Sequence, residues 1–311
     1  MKILVGYEGS AAGDAAIADL SRAGLPAKGD ATVFTVADVW PSAVEKPSPQ
    51  VLRAIPYVAQ ARERAQALLV SAGETARRGA GFVRAALPGW RVTAESVADS
   101  PAWAIFKKAR DGGADLVVVG SREKSRLARW ALGSVSHKVL TDCQTSVRVG
   151  RERTAGKGPY RILLAVDGSS DAERAVVQVL DRNWPASTLV RVVAVADDRL
   201  RHAPVSVPAL KRWAKPDDAD PRSWLGRLVE SVERRLIARG LLATGRVREG
   251  DPKKVLVDQS VRWKADVIFM GARGLTLWER VLLGSVSSAV AVRASCAVEV
   301  VRSLSQKGRG K

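Results

Sequence analysis

Two stretches of the chain share a phrase built from glycine and serine. One is GARGLTLWERVLLGS, residues 271–285, and the other is GSREKSRLARWALGS, residues 120–134. Each opens on glycine and closes on Gly-Ser at the same spacing. Only the later one has glycine at its fourth position, Gly274, where the earlier has Glu123. Glycine reaches backbone angles closed to other residues and lets a ligand or a second backbone come close. Gly284-Ser285 opens a helical stretch, whose free amides and dipole attract an anion. The missing side chain at Gly284 leaves room for phosphate oxygens, and Ser285 and Ser287 offer hydroxyls. No Walker lysine follows, so this is not the loop of a P-loop NTPase. The same residues would also serve as plain turn glycines and a helix cap, and one copy alone does not separate the two.

Other chemistries have little to work with. Cys143 and Cys296 form no CxxC pair, and His137 and His202 are the only histidines, so no metal site and no thiol nucleophile is expected. A loop following the first strand of the second half, VDGSSDAE, holds one glycine and no positioned base, which argues against adenylate-forming catalysis. The expectation is a binding protein, not an enzyme, with slow hydrolysis of a bound ligand left open.

The elements that must carry these loops are written twice. KILVGYEGS (2–10) answers RILLAVDGS (161–169), and GGADLVVVGSRE (112–123) answers WKADVIFMGARG (263–274). ALGSVSHKVL (131–140) answers LLGSVSSAVA (282–291), and each half ends in a short apolar strand, SVRVG or AVEVV. A repeat this long is a duplicated domain. The boundaries are read as residues 1–152 and 160–303, joined by RERTAGKGPY (151–160), a charged stretch with two glycines and a proline. Short apolar runs alternate with helical patterns such as 48–78 and 221–240, and Ser170 with Glu173 has capping-box spacing. The fold class is therefore α/β: two tandem doubly wound domains, each a parallel sheet covered by helices on both faces. In such sheets a ligand binds beyond the carboxyl ends of the strands. The loops that matter are then DGSSD (167–171), DDRL (197–200) and 271–285.

With 46% hydrophobic and 26% charged residues in 311, the chain is globular and long enough for two cores. No apolar run spans a bilayer and none reads as a secretory signal, so a cytoplasmic location is expected. The net charge of +18 favours anionic partners. The basic segments FKKAR (106–110), REKSRLARW (122–130), LKRWAK (210–215) and KGRGK (307–311) keep unspecific nucleic-acid binding as an alternative, although no nucleic-acid-binding motif is present.

The spacing G-x2-G-x9-G-S, with LLAVDGS, EGDP (249–252), ADVIFMGARG and GSVSS in order, resembles the universal stress protein family, UspA-like, as a tandem two-domain member. The resemblance covers nearly the whole chain. It implies five-stranded, Rossmann-like domains of the adenine-nucleotide α-hydrolase kind, a stress-response or regulatory role, and ATP, with or without magnesium, as ligand. Carried over, Asp167 would contact the ribose or adenine side, with Ala165 and Val166 beside it. Val195 and Met270 would pack on the adenine. Gly271, Arg273, Gly274, Gly284, Ser285, Val286 and Ser287 would hold ribose and phosphates. In the first half Glu8 stands for Asp167, Tyr7 for Val166 and Glu123 for the middle glycine. A degenerate first site is expected, with Tyr7 crowding the base and Glu123 repelling phosphate. The resemblance also implies pairing of the two last strands into an intramolecular pseudo-dimer, despite Ser146 and Ala297 where a proline is usual. A homodimer and an unidentified protein partner stay open, and a nucleotide-independent scaffold is the rival reading.

Overall fold

A computed structural model describes residues 1–39, 56–121, 132–152, 158–198, 212–215, 218, 220–275 and 283–302. Glu123 with its basic neighbours, the start of the helical pattern at 48–55 and the tail KGRGK lie outside these residues.

The first half runs β1 (Lys2–Gly6), α1 (Ala11–Asp19), β2 (Asp30–Ala37), α2 (Pro56–Ala86), β3 (Arg91–Ala98), α3 (Pro101–Asp111), β4 (Leu116–Gly120), α4 (Ser134–Asp142) and β5 (Ser146–Gly150). The second repeats it as β6 (Arg161–Ala165), α5 (Ser170–Asp181), β7 (Leu189–Ala196), α6 (Pro221–Ala238), β8 (Leu242–Glu249), α7 (Pro252–Arg262), β9 (Val267–Gly271), α8 (Ser285–Arg293) and β10 (Ala297–Val301). The strands join in one ten-stranded sheet, ordered β3-β2-β1-β4-β5-β10-β9-β6-β7-β8. All pairings are parallel except the central one, β5 with β10, which is antiparallel. Strands β4, β5, β9 and β10 are buried at every position, as their unbroken apolar runs require of strands covered on both faces. The outermost strands β3 and β8 alternate between exposed and half-buried residues for most of their length.

Three local readings of the sequence are corrected. Helix α2 continues to Ala86, beyond residue 78 where the helical pattern of the sequence stops. Gly79 is needed there because a Cβ would stand 2.5 Å from the Tyr7 ring. Helix α5 is capped by Ser169, whose hydroxyl accepts from the Ala172 amide, one residue before the expected box. Glu173 instead pairs with Arg235 at 2.7 Å. Finally, the ends of the linker are built into the core: Tyr160 is buried, and Arg151 reaches into the other half.

The junction is the most polar part of the interior. Register pairs Val149 with Val298, Arg148 with Glu299 and Val147 with Val300, so the two halves meet symmetrically about Arg148 and Glu299. Both of these side chains are fully buried and bonded at 2.9 Å. Arg148 also donates to Asp19 at 2.7 Å and to the Tyr160 hydroxyl oxygen at 3.1 Å. Glu299 accepts in addition from Arg182, 3.0 Å away. Burial pushes the Tyr160 hydroxyl up, so it stays protonated here. Beyond the strands, two arginines reach across in mirror fashion. Arg151 donates to the carbonyls of Ala291 and Cys296, and Arg302 donates to those of Leu140 and Thr145. Each guanidinium thus satisfies one last-turn carbonyl of the other half's final helix and one carbonyl of the turn that follows it. Burial pulls both down to about 10, a value at which they remain charged at neutral pH.

Candidate functional site

Beyond the carboxyl ends of β6, β7 and β9 lies a cleft of about 270 Å³. This is near the lower end of small-molecule sites, roughly 300 Å³ upward. All twelve residues singled out from the sequence line it: Ala165, Val166, Asp167, Val195, Met270, Gly271, Arg273, Gly274, Gly284, Ser285, Val286 and Ser287. Ala172, Val193, Asp197, Pro252, Leu256 and Leu275 line it as well and were not singled out. Two signals for them were present. Val193 shares the face of β7 with Val195 by strand periodicity, and Asp197 and Pro252 fall within the quoted DDRL and EGDP stretches.

The floor is apolar. Ala165, Val193, Leu256 and Met270 are buried in one core cluster, and Val195 packs against it. Val166, the next residue after β6, sends its side chain to the cluster on the opposite face of the sheet. Its first-half counterpart Tyr7 does the same: its ring is buried against Val33, Gly13 and Gly79, and its hydroxyl donates to Asp14 at 2.5 Å. Tyr7 therefore does not crowd a base, contrary to expectation, because alternation along the strand turns it away. Phe34 pairs with Gly6 as Val193 pairs with Ala165, so a larger side chain stands at the Val193 position of the first half. A Cβ on Gly6 would lie 3.0 Å from Ile105 Cδ1.

The rim is polar. Asp167 is half-buried and accepts from the Ser169 amide at 2.9 Å; burial pushes its carboxyl up, an effect that the Ser169 hydrogen bonds offset in part. Gly274 does not adopt a left-handed backbone; a Cβ there would stand 2.9 Å from Asp167 Oδ2, a contact that a small shift of that carboxylate relieves. Gly271 is explained by the fold, since a Cβ there would meet the Ala172 amide nitrogen at 2.6 Å. Gly168 and its counterpart Gly9 do take positive φ, +84° and +82°, and make the turn after each first strand.

Arg273 is held at 3.0 Å by Asp171, a buried carboxylate in the first turn of α5. The Ser287 hydroxyl donates to the Gly271 and Ala272 carbonyls at 2.8 and 3.0 Å, tying α8 to the loop instead of pointing freely at a ligand. Gly284 is the N-cap of α8 and makes no side-chain cap, so the first amides of that helix face the cleft side without a capping hydroxyl. Among the described residues no three of His, Cys, Asp and Glu converge as a metal would require, and no helix is long and apolar enough to cross a membrane. Apolar side chains, a carboxylate and a helix N-terminus line the one cleft, a combination that suits a small ligand with both apolar and anionic parts.

Comparison with known proteins places the chain. A universal stress protein of Mycolicibacterium smegmatis is 28% identical over 96% of both chains. One from Synechocystis sp. is 31% identical over 30% of this chain, a match that spans 58% of the relative's length. The crystal structure of a universal stress protein from Archaeoglobus fulgidus superposes with a TM-score of 0.65 at 21% identity, covering 97% of this chain and 98% of the other. The sequence profile of the universal stress protein family matches residues 1–151 and again 160–302, so the chain belongs to that family as a tandem two-domain member.

Proposed function

We propose that the second half binds ATP in the cleft between β6, β7 and β9, and that the protein is a nucleotide-dependent stress-response or regulatory protein without a catalytic role. The observation that carries this reading is the convergence of twelve scattered residues, from four separate segments, on one cleft that apolar strand residues and the first residues of α8 line together. Adenine would lie on Ala165, Val195 and Met270. Asp167 would accept from a hydroxyl of the sugar, and the amides from Gly284 to Ser287 would take phosphate oxygens. Among the described lining residues the acids are Asp167 and Asp197, with no histidine or lysine beside them, and phosphate release slower than about one per second is expected. The first half would be silent, with the bulkier Phe34 at the place of Val193.

Calorimetry tests the assignment. The intact chain should bind one ATP, and Gly284→Val, which puts a branched side chain in the phosphate path, should abolish it while the fold is kept. Unchanged affinity in a folded Gly284→Val protein would remove the site from residues 284–287. Two equivalent sites would show that the first half binds as well.

A further inference from the structure

A second surface, outside the cleft, carries charge that neither the fold nor the cleft uses. Arg246 and Arg248 lie on the edge strand β8, in register with Val193 and Val195 of β7, and both are exposed. Paired residues of parallel strands point to the same face, so these arginines share that face with Arg191, which pairs with Thr244. Arg191 lies 4.5 Å above the ring of Trp263, and its Nε is buried without a hydrogen-bond partner. Arg246 donates to the adjacent Gly245 carbonyl. Among the described residues no carboxylate pairs with any of the three. They repel one another instead: burial, then Arg246 and Arg248, pull the Arg191 guanidinium down. At the foot of the strip an apolar groove of about 460 Å³ is lined by Ile237, Leu241, Leu242 and Trp263, with Leu242 60% exposed.

The first half shows that the architecture does not require this. At the equivalent register positions it has Thr32, Glu95 and Val97, and Glu95 is neutralised by Lys108. Three mutually repelling cations beside an aromatic ring are therefore particular to the second half, in a chain of net charge +18. We propose that this strip binds single-stranded nucleic acid, with Arg191, Arg246 and Arg248 on the phosphates and the Trp263 groove receiving an unstacked base. Side chains two apart on a strand repeat about every 6.6 Å, which suits a ligand with evenly repeated charge. Guanidinium groups match phosphate with two parallel hydrogen bonds, and a base adds stacking or apolar contact at the groove. A duplex keeps its bases stacked inside and would leave the groove uncovered.

The test is fluorescence anisotropy of the full chain with labelled oligo(dT) and the matching single-stranded RNA over a range of salt. Duplex DNA, an acidic peptide and phosphatidylserine vesicles serve as competitors. Wild type should bind the single strands, and the slope of log affinity against log salt should fall by about 0.7 for each arginine removed. Arg246→Ser with Arg248→Ser is exposed enough to keep the fold, and Arg191→Thr copies the first half. Gly284→Val should bind oligonucleotide normally, which separates this surface from the nucleotide cleft. No binding by wild type, an unchanged slope in the double variant, or preference for any of the three competitors would overturn the proposal. The arginines would then only guard an open sheet edge.

Discussion

Glu299 offers the sharpest test of how the two halves are held. Its carboxylate is completely buried and accepts from Arg148 at 2.9 Å and Arg182 at 3.0 Å. Glu299→Leu keeps an approximate volume but leaves two buried guanidinium groups, with Asp19 already engaged by Arg148 as the remaining carboxylate. At an effective dielectric near 20, a charge pair about 4 Å apart is worth roughly 4 kcal/mol. Breaking a buried pair from one side costs about 3–5 kcal/mol, because an uncompensated charge stays behind. We expect Glu299→Leu to lose that much, and the additional change Arg148→Met to recover part of it, with a coupling of about 1–3 kcal/mol. Urea unfolding followed by circular dichroism measures both, provided the m-value is unchanged. A loss below about 1 kcal/mol, the level of a solvent-exposed pair, would refute the reasoning that these charges secure the junction.

Two further outcomes are expected. Burial holds the Asp167 carboxyl above the usual range, so the free protein takes up its proton more readily than the unfolded chain. That contribution favours the fold below the raised value and turns against it as pH rises through it. A ligand hydroxyl donating to the carboxylate would pull the value back down. ATP binding at mildly acid pH should therefore release a proton that Asp167→Asn does not release, as calorimetry in buffers of different ionisation enthalpy would show. Gly271→Ala should cost stability by about 1–3 kcal/mol with or without nucleotide, since its Cβ collides with the α5 backbone and not with a ligand. A melting temperature equal to wild type would contradict that packing argument.

The duplication, the parallel strands and the residues lining the cleft were legible because they are local: an apolar run, a turn glycine, a repeated phrase. Side-chain direction was legible in principle. Strand alternation already turns Val166 and Tyr7 away from a ligand lying on Ala165, but a comparison made position by position treated the bulky ring as an obstacle. Phe34, the bulkier residue at the Val193 position, belongs to a different strand and meets Gly6 only after the sheet is assembled. The reason for Gly274 was misread in the same way. Its backbone angle does not demand glycine, and the one neighbour a Cβ would approach is the movable Asp167 carboxylate. Least visible was the charge cluster at the junction. Arg148 and Asp19 are 129 residues apart, and no spacing rule connects them.

The symmetric register at that junction bears on what the chain can associate with. Because Arg148 and Glu299 occupy equivalent places in the two copies and face each other on the pseudo-axis, each last strand is complementary to the other and not to itself. If β5 paired with β5 of a second molecule in the same register, Arg148 would bury against Arg148; for β10, Glu299 would bury against Glu299. Each arrangement sets like charges together in a dry interior. The halves are thus no longer interchangeable subunits. A molecule of this design does not trade its halves through like strands, and larger assemblies would have to grow from other faces.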